Sequence, residues 1–213
     1  MNENLNFIEN IKPEDIEKRS FEIIGDELGK RGIVLPEEYS HIIKRCIHTS
    51  ADFDYAETMY FSPEVLDRIM GALKSGATII TDTKMAQSGI NKKKLNELGV
   101  EVSCYISDED VASQSKERGL TRSFVSMEKA LGIEGPVIFA IGNAPTALLS
   151  IVEMYNNGVL QPAAVIGVPV GFVNVVESKE LLIDSGIPCI VNKGRKGGSN
   201  IAACIVNAIQ YNM

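Results

Sequence analysis

Five short apolar runs constrain this chain more than any other feature. They are ATIITD from Ala77, VEVSCYI from Val100, PVIFAIG from Pro136, AAVIGVPV from Ala163 and IPCIV from Ile187. Between them lie stretches of helical character: NKKKLNELG, a polar run from Asp108 to Arg118, an apolar run opened by Asn143-Ala144-Pro145, a run from Val175 to Ile183, and SNIAACIVNAIQY. Strands that alternate with helices and are apolar nearly throughout imply right-handed crossovers and a parallel sheet covered on both faces. The expected class is α/β: a three-layer α/β/α fold with a mainly parallel five-stranded sheet.

Upstream of Ala77 the pattern is helical, which predicts an N-terminal helical arm. Pro13 suits a first helical turn, with Glu14 and Asp15 at its positive end. Ile16, Ser20, Ile24 and Leu28 share one face, and Gly29 and Gly32 end the run. A second helix opens at Pro36 with the stripe Tyr39, Ile42, Ile43, Cys46 and Ile47. A third begins at Ser62-Pro63-Glu64, with Ser62 read as its N-cap. LTRSFVSMEKALGIEG reads as a connecting segment. No repeat or linker divides the 213 residues, so a single domain spanning 1–213 is expected.

Charge and cysteine spacing exclude several classes. A net charge of −7 argues against a broad nucleic-acid footprint. Cys46, Cys104, Cys189 and Cys204 have no CxxC spacing and read as reduced core residues, with no metal site. MNENLNFIEN lacks a basic, apolar leader and no run is long enough for a membrane span, which points to a cytoplasmic protein without membrane contact.

In open α/β sheets ligands bind beyond the carboxyl ends of the strands. Those ends are TDTKMAQSG, SDED, GNAPT, GVPVGF and NKGRKGGSN. The last combines glycines with Arg195 and Lys196 and leads into a helix at Ser199, which suits a phosphate or carboxylate; a structural turn has the same glycines. The order is not that of a P-loop, and no GxGxxG follows an early strand. Asn143 suits helix capping, Gly171 suits either close approach to a flat ligand or a tight turn, Arg122 reads from its context as a surface charge, and Lys84 as a partner for Asp82.

One proton-transfer group stands out. Histidine is the side chain that exchanges protons near neutrality, and the chain has two. His48 falls opposite the apolar stripe of the second helix and is followed by Thr49, Ser50, Asp52 and Asp54, potential partners for its ring; a solvated histidine at a helix end has the same spacing. Ser20, beside Arg19, is a polar group in an apolar stripe, a position that a bond to the carbonyl one turn back also explains.

Taken together, KRSF at Lys18, the His48 segment, AIGNAPTALL at Ala140, GVPVGFVNVVESKE at Gly167 and GRKGGSNIAA at Gly194, with TDTKMAQSGI and TRS, resemble the precorrin-8X methylmutase family of corrin biosynthesis. The resemblance spans nearly the whole chain in family order. It implies an α/β/α homodimer that moves a methyl group from C-11 to C-12 of a tetrapyrrole, a 1,5-sigmatropic shift without redox change or organic cofactor. It assigns His48 as the proton donor. It places Ser20 and Arg122 around the substrate, precorrin-8 or cobalt-precorrin-8; Arg19, Lys84, Asn143, Gly171, Arg195 and Ser199, read from their positions in the sequence, complete the expected substrate contacts. Two other readings use the same residues. One is an unrelated anion- or nucleotide-binding α/β enzyme built on the fifth turn; the other is a non-catalytic corrinoid carrier.

Overall fold

The computed structural model describes residue 9 and residues 11–213. The reading of MNENLNFIEN as leaderless, and the start of the 1–213 domain, therefore lie outside the described residues save Glu9. A 3-10 turn at Pro13–Asp15 runs into α1 (Ile16–Lys30), followed by α2 (Glu37–Ser50), α3 (Tyr55–Thr58), β1 (Met59–Phe61) and α4 (Val65–Lys74). Then come β2 (Thr78–Thr81), α5 (Lys84–Gly89), α6 (Lys92–Glu97), β3 (Glu101–Ser103), α7 (Glu109–Arg118) and α8 (Arg122–Glu128). The remainder is β4 (Val137–Ile141), α9 (Pro145–Asn156), β5 (Ala164–Gly167), α10 (Val175–Asp184), β6 (Cys189–Asn192) and α11 (Ser199–Tyr211).

The sheet order is β1-β6-β5-β4-β2-β3. The five strands read from the sequence are all present and mutually parallel. A sixth, β1, pairs antiparallel with β6, matching Tyr60 to Val191. Its three residues, between a helix and a proline, are too short to show a strand period. Ser62 belongs to this edge and does not cap α4: its hydroxyl accepts from the Cys189 N–H at 2.8 Å, and Glu64, with φ of 58°, holds the N-cap position. The LTRSFVSMEKALGIEG segment is not a bare connector either; Thr121 caps α8 through the Phe124 N–H, and α8 packs on α9.

Alternation along the strands divides the core into two layers. Ile79, Ile138, Ala140, Ile166 and Ile190 face the layer built with α1, α2, α4 and α11. Ile80, Phe139, Ile141, Val165 and Val191 face the layer built with α8, α9 and α10. The four cysteines are free and buried, as expected. Among the described residues no helix is long and apolar enough to cross a membrane.

The side on which successive strands are added reverses between β2 and β4, since β3 lies outside β2 and β5 outside β4. Asp82 ends β2 at this point, 1% exposed. Its carboxylate accepts from the amides of Gly142 at 3.0 Å, Asn143 at 2.8 Å and Ala144 at 2.7 Å. Burial pushes the Asp82 carboxyl above its ordinary range, while the three amides pull it back. Asp82→Ala leaves those donors without an acceptor and lowers stability by about 3 kcal/mol or more. Urea unfolding checks this, and Asp82→Asn, which keeps one acceptor oxygen, loses less.

Candidate functional site

The carboxyl ends of the parallel strands converge on the glycine turns. Gly142, after β4, admits no side chain, because a Cβ there would lie 2.6 Å from the Ser199 Cα. That approach sets the start of α11 against the β4–α9 turn. Ser199 shares a hydroxyl–hydroxyl hydrogen bond of 2.7 Å with Thr83 after β2. Gly197 sits closer still, where a Cβ would lie 2.0 Å from the Val168 carbonyl oxygen after β5. The Gly198 amide donates to that same oxygen at 2.9 Å, and the Gly171 amide donates to the Arg195 carbonyl at 3.2 Å. The Arg195 guanidinium lies 5.4 Å from the centre of the exposed Phe172 ring. Asn143, Gly171, Arg195 and Ser199 therefore gather at one edge.

A second group lies on the helical arm. His48, in the last turn of α2, is exposed, and its ring centroid is 5.4 Å from that of Phe21 on α1. It shares a cleft of about 220 Å³ with Ser20, Ile23, Ile24, Glu27, Ile47, Ala51 and Phe53. The Ser20 hydroxyl donates to the Ile16 carbonyl at 2.9 Å, the bond one turn back, and still lines this cleft. Helix α2 ends on Ala51 in a left-handed conformation, φ 55°, with its N–H on Ile47. That backbone is costly for a residue with a Cβ, and it turns the chain away three residues beyond His48.

The two groups are tied together by Lys196. Its ammonium meets the Asp52 and Asp54 carboxylates at 2.6 Å each, four and six residues beyond His48. The hydrogen-bonded ammonium holds the Asp52 carboxyl below its usual range. Thr58 adds a hydrogen bond of 2.6 Å to Asn192, and its carbonyl accepts the Lys193 amide at 2.8 Å. The sequence placed Thr49, Ser50, Asp52 and Asp54 around the His48 ring; the structure sends them elsewhere. Ser50 bonds the Cys46 carbonyl, Thr49 bonds the Cys204 sulfur at 3.2 Å, and the two aspartates take Lys196.

Other expected contacts are dispersed. Arg19 is engaged by Glu9 and Glu22, and with them lines a separate cleft. Lys84 does not pair with Asp82; its ammonium donates to the Cys104 carbonyl at 2.7 Å, past the end of β3. Arg122 is exposed at the first turn of α8, next to the Thr121–Thr146 hydroxyl pair of 2.7 Å that joins α8 to α9. Asn143 does not cap α9 with its side chain: Ala144 holds the N-cap position, and the Asn143 amide donates to Asp82. Among the described residues no group of three or more His, Cys, Asp or Glu is arranged to hold a metal ion.

Two features escaped sequence reasoning. A cleft of about 640 Å³ on the other side of Phe21 is lined by His41, Lys44 and Arg45, with Ser40, Glu37 and Asn212. The helical spacing of 41, 44–45 and 48 was the available signal, since it places these residues along one side of α2. Burial and Arg45 lower the His41 pKa. The second feature is Lys179 of α10, 1% exposed, whose ammonium donates to the carbonyls of Gly194 at 2.7 Å and Lys196 at 2.9 Å. Burial lowers its pKa to about 8. The only signal was a lone lysine on an otherwise apolar helix face.

Comparison with known proteins decides what this arrangement belongs to. The precorrin-8X methylmutase family model matches residues 15–212. The chain belongs to the precorrin-8X methylmutase family. It is 44% identical over 209 residues to the cobalt-precorrin-8 methylmutase of Salmonella typhimurium, covering 95% of this chain and 96% of that protein. The cobalt-precorrin-8 methylmutase of Priestia megaterium is 43% identical over 199 residues, 93% and 88% of the two chains. In structure, the precorrin-8X methylmutase of Thermus thermophilus superposes with a TM-score of 0.82 at 33% identity, covering 92% of this chain and 96% of that one. Methylmutase family membership makes the chain an isomerase of cobalamin biosynthesis.

Proposed function

We propose that this chain moves the methyl group from C-11 to C-12 of precorrin-8 or cobalt-precorrin-8 in a 1,5-sigmatropic shift, with His48 as the proton donor. The observation that carries this reading is the exposed His48 ring on a largely apolar-walled cleft that it shares with Ser20. Protonating the conjugated ring system lowers the barrier to methyl migration, and a positioned acid contributes about 10²–10⁴-fold. The reaction is unimolecular, so the remaining work is holding a flexible macrocycle in one shape. The edge bearing Arg195 and Ser199, tied to the histidine loop through Lys196, suits the macrocycle's carboxylates. Arg122, exposed beside the β4–α9 side of the same sheet end, is a further carboxylate contact in this reading.

The working unit in this reading is a homodimer. The His48 cleft, about 220 Å³, is smaller than the roughly 300–1,000 Å³ of sites that enclose a small ligand. A second copy supplies the missing wall, and exposed Phe172 and Val173, 81% and 78% accessible, give apolar surface for such contact. Sedimentation velocity at assay concentration is expected to show a dimer; an active monomer rules this part out.

His48→Ala is expected to fold and to bind the tetrapyrrole, because the ring is exposed and the cationic turn is untouched. Its turnover falls by about two to four orders of magnitude. His48→Asn, polar but without a transferable imidazole proton, fails in the same way. Absorbance-monitored turnover of precorrin-8 measures both, and near-normal turnover in a folded variant removes His48 as the acid.

A further inference from the structure

Lys179 stands out among the groups not used so far. It is a cation at 1% exposure, and its partners are two carbonyl oxygens of one turn rather than a carboxylate. The Asn192 side-chain amide supports the same turn by donating to the Lys196 carbonyl at 2.9 Å. In a planar trans peptide the N–H points opposite to the C=O. Drawing the Gly194 and Lys196 carbonyls toward the core therefore aims the N–H groups of Arg195 and Gly197 away from it. Neither amide donates to an acceptor among the described residues, and Arg195 is exposed.

We propose that Lys179 is a positioning residue for a substrate carboxylate: it holds the 194–197 turn so that the Arg195 and Gly197 amides face the ligand together and take one carboxylate between them. This rests on the proposed tetrapyrrole reaction and adds a residue and a binding mode to it. The buried ammonium also places a positive charge beneath the turn. The charged groups around it are otherwise committed. Lys196 is on Asp52 and Asp54, and Arg195 is over Phe172. Helix α10 itself carries Glu177, Glu180 and Asp184, α9 carries only Glu153, and β6 carries no charged side chain, only the Cys189 thiol, which burial pushes up to about 12. Burial is the cause that lowers Lys179 to about 8. Raising the pH past that value removes the charge but leaves two N–H donors, so charge and turn geometry can be separated.

The test follows precorrin-8 binding and turnover in wild type and Lys179→Met, with the backbone amide signals of Arg195 and Gly197 observed by NMR. Loss of the amide pair is expected to weaken Kd and raise KM by about 10- to 100-fold, with a smaller fall in kcat. In the wild type Kd also weakens between pH 7.0 and 9.5 with a midpoint near 8; Lys179→Met shows no such midpoint. Both amide signals move when ligand binds. Unchanged affinity in Lys179→Met or unmoved amide signals overturns the proposal. Should Lys179→Met not fold, the response of the Arg195 and Gly197 amide signals to ligand in the wild type decides alone. If wild type does not bind precorrin-8, the proposed reaction fails, and a titration with the small polycarboxylate tricarballylate, read at the same amides, still decides the role of Lys179.

Discussion

The Asp82 carboxylate is the interaction on which the rest of the structure depends. Strands β2 and β4 pair directly where the order of strand addition reverses, but no hairpin joins them, so the loops leaving their carboxyl ends need a bond of their own to stay together. A single buried carboxylate at the end of β2 gathers three consecutive amides at the start of the β4–α9 turn. It satisfies the donors of the turn that leads into α9 and joins the two central loops. The close seat of Ser199 over Gly142 then follows, and with it the position of α11 and the glycine turn before it.

The proposed function rests on a second, more exposed connection. The helical arm that carries His48 and the strand edge that carries Arg195 and Ser199 are far apart in sequence, yet Lys196 holds Asp52 and Asp54 between them. Each contact is solvent-facing and individually weak. The backbone link through Thr58 and the antiparallel β1–β6 pairing give that tether a rigid base. In the proposed reaction, His48 as the acid on one side and the cationic turn on the other would supply one proton and hold the macrocycle.

The fold was legible because its period is strong. The strand runs Ile138–Ile141 and Ala164–Gly167 are apolar on both faces, which only a two-sided α/β/α arrangement satisfies. Strand β1 was not, because Met59–Phe61 owes its conformation to β6, a partner more than a hundred residues away. In the candidate site, His48 and Ser20 were visible as polar residues on their helices, and the structure puts both on one cleft. The fates of Asp52, Asp54, Asp82 and Lys84 were not: local spacing suggested neighbours, while tertiary packing supplied Lys196, the β4–α9 amides and the Cys104 carbonyl. Lys179 was the hardest to see, since a single lysine in a helix ordinarily lies in water.

The central claim is that the protein transforms its tetrapyrrole and does not merely hold it. Precorrin-8 or its cobalt form, carrying a ¹³C label on the migrating methyl group, is incubated in molar excess over purified protein and followed by NMR. The account predicts many turnovers per protein chain, with the label passing from C-11 to C-12. A tightly bound macrocycle whose label stays on C-11 would contradict it and identify a carrier instead.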